Sequence, residues 1–356
     1  MTPNPPLTPL VLVEQALLGS LLLDPSRLAE LKDSLTPAAF SIAVHSAVFA
    51  AIQELPAPDP VEHIAGPAWL DKVLATASSK TRGVDAPYLH TLIQATRGLG
   101  HLPAYSTLIA DAHARRRLHD RAVHLAGIAR DASFPDPVAT ALRAAEDLRA
   151  ELDAWSPPTT GVRAPPRPDP PATASQKAVD RAADDELHLI ASAVAHPEEA
   201  AALRAWIRAD EDFTNPIRAG LWKSVTALLS RHAAVDPLTL LCEAQHHGVL
   251  ADADPRPLLA TLSQPAGDLT YWAAQVLSRS VLATADRTGR AIAHYAAEAT
   301  LTPTQVSLGS HRALAHFDAV RVRWQHVTAP PPAHRETVVA RPGPRSTAPR
   351  TRTPVR

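Results

Sequence analysis

Apolar residues recur at spacings of three and four along most of the chain, as in Ile42, His45, Val48, Phe49, Ile52 and Leu55, and again in Ile217, Leu221, Val225 and Leu228. That period places them on one helical face. Strand-like alternation is scarce. Helix starts are marked where an oxygen-bearing side chain precedes proline, at Asp24-Pro25, Thr36-Pro37, Asp136-Pro137 and Asp236-Pro237. There the side chain can take an orphan N–H and the ring fits the first turn. Thr302-Pro303-Thr304-Gln305 adds a capping box. Long unbroken helical stretches cover about 103–131 and 268–299, each followed by a short proline-containing turn and another helix. Residues 156–176 and 329–356 lack apolar periodicity and are crowded with proline. The first reads as a linker stiffened toward polyproline II, the second as a disordered tail. The expected architecture is all-α: two helical domains, 1–155 and 177–328, each a small multi-helix head followed by a long helical hairpin.

The two blocks share landmarks. Glu14 to Phe40 spans 26 residues and Glu186 to Phe213 spans 27, while Phe40 to Phe49 and Phe213 to Trp222 both span nine. Asp59-Pro60-Val61 corresponds to Asp236-Pro237-Leu238, and Ala104-Tyr105 to Thr270-Tyr271-Trp272. A shared period of this length indicates tandem domain duplication rather than a short solenoid repeat.

Composition sharpens the reading. Ala and Leu dominate a chain whose aromatic share is 4%, which favours helix over strand. The net charge is −1, yet residues 335–356 hold six Arg and one Glu, leaving −6 on the rest. One cysteine, Cys242, excludes an internal disulfide and reads as core filler in an apolar run. The run Leu10–Leu23 is broken by Glu14 and Gln15 and follows no basic segment, so neither a signal peptide nor a membrane span is expected. The expected compartment is the cytoplasm.

With these landmarks in place, the first block resembles the N-terminal domain of DnaB-type replicative helicases. The likeness is carried by Glu14-Gln15-Ala16-Leu17-Leu18-Gly19-Ser20-Leu21-Leu22-Leu23-Asp24-Pro25, by Leu35-Thr36-Pro37-Ala38-Ala39-Phe40, and by His45 to Ile52. Tyr88-Leu89-His90-Thr91-Leu92 and Tyr105 to Arg117-Leu118 continue it in order. The second block carries a degenerate version: Glu211-Asp212-Phe213, Val235 to Leu240, Gly248 and Tyr271-Trp272, with Leu189-Ile190-Ala191 in place of the opening Leu-Gly. The resemblance implies a helical head and hairpin that, in the family, pairs subunits into a collar and offers a surface for primase. In the family a RecA-like motor follows. Here the five lysines, at 32, 72, 80, 177 and 223, never follow glycine, so no phosphate-cradling loop exists.

The remaining candidate chemistry has plainer explanations. His113, His119 and His124 are six and five residues apart and do not share a helix face, and His246-His247 point apart. Asp184-Asp185 and Glu198-Glu199 fit helix starts. No catalytic, cofactor-binding or metal site is expected. Arg115-Arg116-Arg117 fits a solvated face, an interdomain or intersubunit contact, or nucleic acid. Residues assigned to a protein interface are Leu108, Arg115, Arg116, Leu118, Leu125 and Ile128, on the premise that the two hairpins pair, within one chain or between chains. Arg335, Arg341, Arg345, Arg350, Arg352 and Arg356 could touch phosphates weakly and without sequence preference. The expected function is that of a non-catalytic DNA-replication accessory or scaffold, contacting itself, a replicative helicase or a primase. The rivals are a structural adaptor outside replication and a helicase subunit whose motor sits on another chain.

Overall fold

The computed structural model describes residues 8–31, 35–96, 101–131, 133–155, 157, 162–166, 168, 176–251, 253–264 and 267–329. Among these the regular structure is helical throughout, with no strand. The first head comprises α1 (Pro9–Leu23), α2 (Ala43–Glu54), α3 (Pro60–Ala65), α4 (Ala68–Lys80) and α5 (Ala86–Ala95), with 3-10 turns at Pro25–Leu31 and Pro37–Ala39. Its core joins Leu17, Leu18, Leu21 and Leu22 of α1 to Val48, Phe49 and Ile52 of α2 and Leu89 and Leu92 of α5. Gly19 lets α1 and α5 meet: a Cβ there would lie 2.0 Å from the Leu92 carbonyl oxygen. No larger residue fits without backbone movement.

A hairpin follows, α6 (Leu102–Arg130) and α7 (Pro137–Ala154). Asp136 caps α7 by accepting the Ala139 N–H at 2.9 Å. The second head contains α8 (Gln176–Ala195), α9 (Pro197–Leu203), α10 (Ala209–Asp212), α11 (Pro216–Ser230), α12 (Pro237–His246) and α13 (Pro255–Leu262). A second hairpin, α14 (Leu269–Ala297) and α15 (Pro303–Thr328), closes the described chain. Full capping boxes form at Asp236 with Thr239 and at Thr302 with Gln305.

The hairpins pack on each other within the chain. The broadest helix contact in the molecule is between α6 and α14, and α7 also touches both α14 and α15. One apolar core runs through all four helices, including Leu118, Leu125 and Ile128 of α6, Leu148 of α7, Val281 and Ile292 of α14, and Leu314 and Phe317 of α15. Each such side chain contributes about 1.5–3 kcal/mol by leaving water.

Four local expectations are corrected. Cys242 is exposed, because α12 turns Leu240, Leu241 and Ala244 inward and position 242 falls on the opposite side. Thr36 makes no side-chain cap on the 3-10 turn that follows it. Asp184-Asp185 lie in the middle of α8, not at its start, and Asp185 instead pairs with Arg279 of α14. The linker is not merely a spacer: its described middle, 162–166, rests on the second hairpin, where the Pro165 and Pro166 carbonyls accept hydrogen bonds from Arg312 and Tyr295.

Candidate protein interface

The residues assigned to a hairpin interface separate by depth. Leu118, Leu125 and Ile128 are buried in the shared four-helix core. Closest approach occurs at Gly289 of α14, where a Cβ would sit 2.5 Å from the Ala122 carbonyl oxygen and 2.8 Å from the Ala126 nitrogen. Small residues therefore bring the two long helices together backbone to backbone. Leu108 is a correction: it remains 51% exposed. At that turn α6 no longer faces the paired hairpin but opens onto a cleft of ≈ 860 Å³ that Pro9, Leu10 and Val13 of α1 and Ala296 and Ala297 of α14 also line.

The three consecutive arginines do three different things, because successive helical positions point about 100° apart. Arg115 reaches the C-terminal end of α14 and donates to the carbonyls of Ala296, Glu298 and Leu301 at 3.3, 2.6 and 3.1 Å. A cation there satisfies orphan carbonyls and complements the helix dipole. Burial draws Arg115 down from its ordinary value, and the nearby Asp111 and Glu298 oppose the shift. Arg116 donates to the Ala39 carbonyl of the first head. Arg117 pairs with Glu151 of α7 at 2.5 Å. Thus one arginine joins the hairpins, one fixes the head to α6, and one closes the first hairpin. At the other edge, Arg149 pairs with Asp318 at 2.5 Å and Arg321 with Glu146 at 3.4 Å, joining α7 to α15.

Each head is tied by a buried glutamate that sequence reasoning treated only as a landmark. Glu14, in the apolar α1, accepts the Ser41 N–H at 2.8 Å and lies 2.6 Å from His45 Nδ1. The ring's Nε2 lies 2.8 Å from the Tyr88 hydroxyl, so the imidazole bridges Glu14 and Tyr88. Burial pushes that hydroxyl above its ordinary value, the Glu14 charge adds to the effect, and a hydrogen bond with Gln15 opposes it. This chain of hydrogen bonds ties α1, α2 and α5 together. Glu186 of α8 accepts both the N–H and the hydroxyl of Thr214, each at 2.7 Å. Among the described residues its second oxygen has no hydrogen-bond partner. Ser41 and Thr214 each follow the landmark phenylalanine, so both heads use the same anchor. For Glu14 the available signal was a lone acid inside an otherwise apolar helix, whereas Glu186 follows Asp184-Asp185 and carries no such signal.

The second head is also clasped by its hairpin. Arg323 of α15 is buried and bonds Asp212, Glu211 and the Trp206 carbonyl. Burial pushes Glu211 up, but the hydrogen bond from Arg208 and the charges of Arg208, Arg323 and His316 outweigh it and hold Glu211 below its ordinary value.

Among the described residues no cluster of three or more His, Cys, Asp or Glu could hold a metal ion, and no helix is long and apolar enough to cross a membrane. His119 instead lies 3.2 Å from the Ala293 carbonyl. The six tail arginines, Arg335 to Arg356, lie outside the described residues. Neither the curated proteins nor the solved structures contain a match to the chain. Residues 9–111, which make up the first head and the opening turns of α6, match the family described as DnaB-like helicase N terminal domain.

Proposed function

We propose that this protein is a non-catalytic scaffold of DNA replication that contacts a replicative helicase or a primase through its heads. The observation that carries the reading is the match of residues 9–111 to the helicase N-terminal family. The buried anchor repeated at Glu14 and Glu186 supports treating the second half as a degenerate copy of the first. Pairing of the hairpins inside the chain refines where a partner would bind. The faces around Leu118, Leu125 and Ile128 are already covered, so the contact surface moves to the heads and to the cleft beside Leu108 and Arg116. The Arg-rich tail would add weak, nonspecific contact with DNA phosphates.

An affinity capture from the protein's own host tests this. Enrichment of the replicative helicase or primase, reduced by charge reversal at exposed head residues but not by tail removal, is the expected result. Capture that loses nothing when either head surface is altered refutes it.

A further inference from the structure

The linker segment 162–166 touches the second hairpin through Pro165 and Pro166, while Val162, Arg163 and Pro166 keep an exposed side. Pro165 is buried in a notch that exists because position 309 of α15 is glycine. A Cβ there would approach Pro165 Cγ to 3.0 Å and Tyr295 Cε2 to 2.9 Å. Tyr295, only 2% exposed, forms the notch wall and donates its hydroxyl to the Pro166 carbonyl at 3.2 Å. Arg312, one helical turn after Gly309, donates to the Pro165 carbonyl.

We propose that Tyr295, Gly309 and Arg312 form a docking site for a proline-rich extended segment, occupied in cis by Pro165-Pro166. The chemistry fits that ligand class closely. A diproline has no N–H to satisfy, so its polar groups are carbonyls alone, and the site supplies two donors for two successive carbonyls. A flat prolyl ring suits a notch that a Cβ would fill. Such a segment is already stiff, so docking costs little conformational entropy. The site thereby anchors the linker to the second hairpin, and a proline-rich segment of another protein would compete for the same notch once the linker leaves it.

The test uses the full chain and a fluorescent peptide of the sequence Val-Arg-Ala-Pro-Pro, taken from residues 162–166. Because a tethered segment competes at an effective concentration on the order of millimolar, the peptide should bind the unaltered chain at least tenfold more weakly than a Pro165→Gly, Pro166→Gly chain. A peptide ending in Gly-Gly should bind neither. Equal peptide binding by both chains, or binding by neither, overturns the proposal. Independently, Tyr295→Phe with Arg312→Gln should speed tryptic cutting after Arg163 several-fold while the helical melt is retained, since Phe keeps the ring and loses only the hydrogen bond. An unchanged cutting rate in that folded variant also overturns it.

Discussion

Two glycines in the paired hairpins offer a matched experiment on what holds the molecule together. Gly127 of α6 and Gly289 of α14 are both helical and close in space to the same contact, yet their surroundings differ. A Cβ on Gly127 meets nothing within 4 Å, whereas one on Gly289 meets the backbone of α6 at 2.5 and 2.8 Å. Replacing glycine by alanine inside a helix removes unfolded-chain entropy and contributes about 0.5–1 kcal/mol of stability. At Gly127 nothing opposes that gain. At Gly289 ordinary contact near 3.4 Å requires α6 and α14 to separate by roughly 1 Å, and gaps of that size forfeit a quarter to a half of each dispersion contact. Overpacking of this kind costs about 1–3 kcal/mol. Gly127→Ala should therefore stabilise by about 0.5–1 kcal/mol. Gly289→Ala should lose up to about 2 kcal/mol, and Gly289→Leu should lose more. Urea unfolding followed by helical ellipticity measures both. If Gly289→Ala stabilises as much as Gly127→Ala, the close approach of the hairpins is not what the molecule depends on.

Gly19→Ala should destabilise the first head by about 2–3 kcal/mol, while Ala191→Gly at the equivalent position of the second head should cost only about 1 kcal/mol; reversed magnitudes in thermal melts would refute the close α1–α5 crossing. Arg323→Met leaves Asp212 buried without its main partner and should cost about 3–5 kcal/mol, with part recovered by adding Asp212→Asn; no recovery in the double variant counts against the clasp. Because Glu211 is held below its ordinary value, 4.5, its contribution is present above that pH and is lost as pH falls through the lower folded value. An acid titration of an Arg208→Gln, Arg323→Met chain, which removes both arginines that hold Glu211 down, should lack that loss. The purified protein should show no ATP turnover above background with or without single-stranded DNA, and turnover abolished by mutating one of its own residues would end the scaffold reading. Weak DNA binding, with five or six phosphates contacted, should fall by roughly two to four orders of magnitude between low and physiological salt, and a chain ending at Thr328 should lose it.

Much of the helical layout was legible because proline punctuates this sequence at helix starts. Asp136, Asp236 and Thr302 were readable as caps and act as caps. The long helices were readable because their apolar spacing is unbroken. The errors arose where a local pattern has two tertiary solutions. Leu108 continues the apolar stripe of α6, but the partner helix ends before it. Cys242 sits in an apolar run, yet α12 buries only one face, defined by Leu240, Leu241 and Ala244, and position 242 lies off it. The roles of Arg115, Arg116 and Arg117 depend on partners 34 to 186 residues away, which no local window contains. The seat of Pro165 was invisible for the same reason: its notch is made by an absent side chain on a distant helix.

Pairing between separate polypeptides obeys mass action and dissolves on dilution, whereas pairing between two halves of one polypeptide is unimolecular and persists at any concentration the cell holds. The α6–α14 contact belongs to the second kind. It also joins halves that are not identical, since Glu14 is met by Ser41 and by His45, with Tyr88 behind the ring, while among the described residues the hydrogen bonds to Glu186 come from Thr214. A homodimer reads the same from either side and cannot tell a visitor which way it faces. This molecule has a front and a back, so a partner that recognises one head is oriented at the moment it binds.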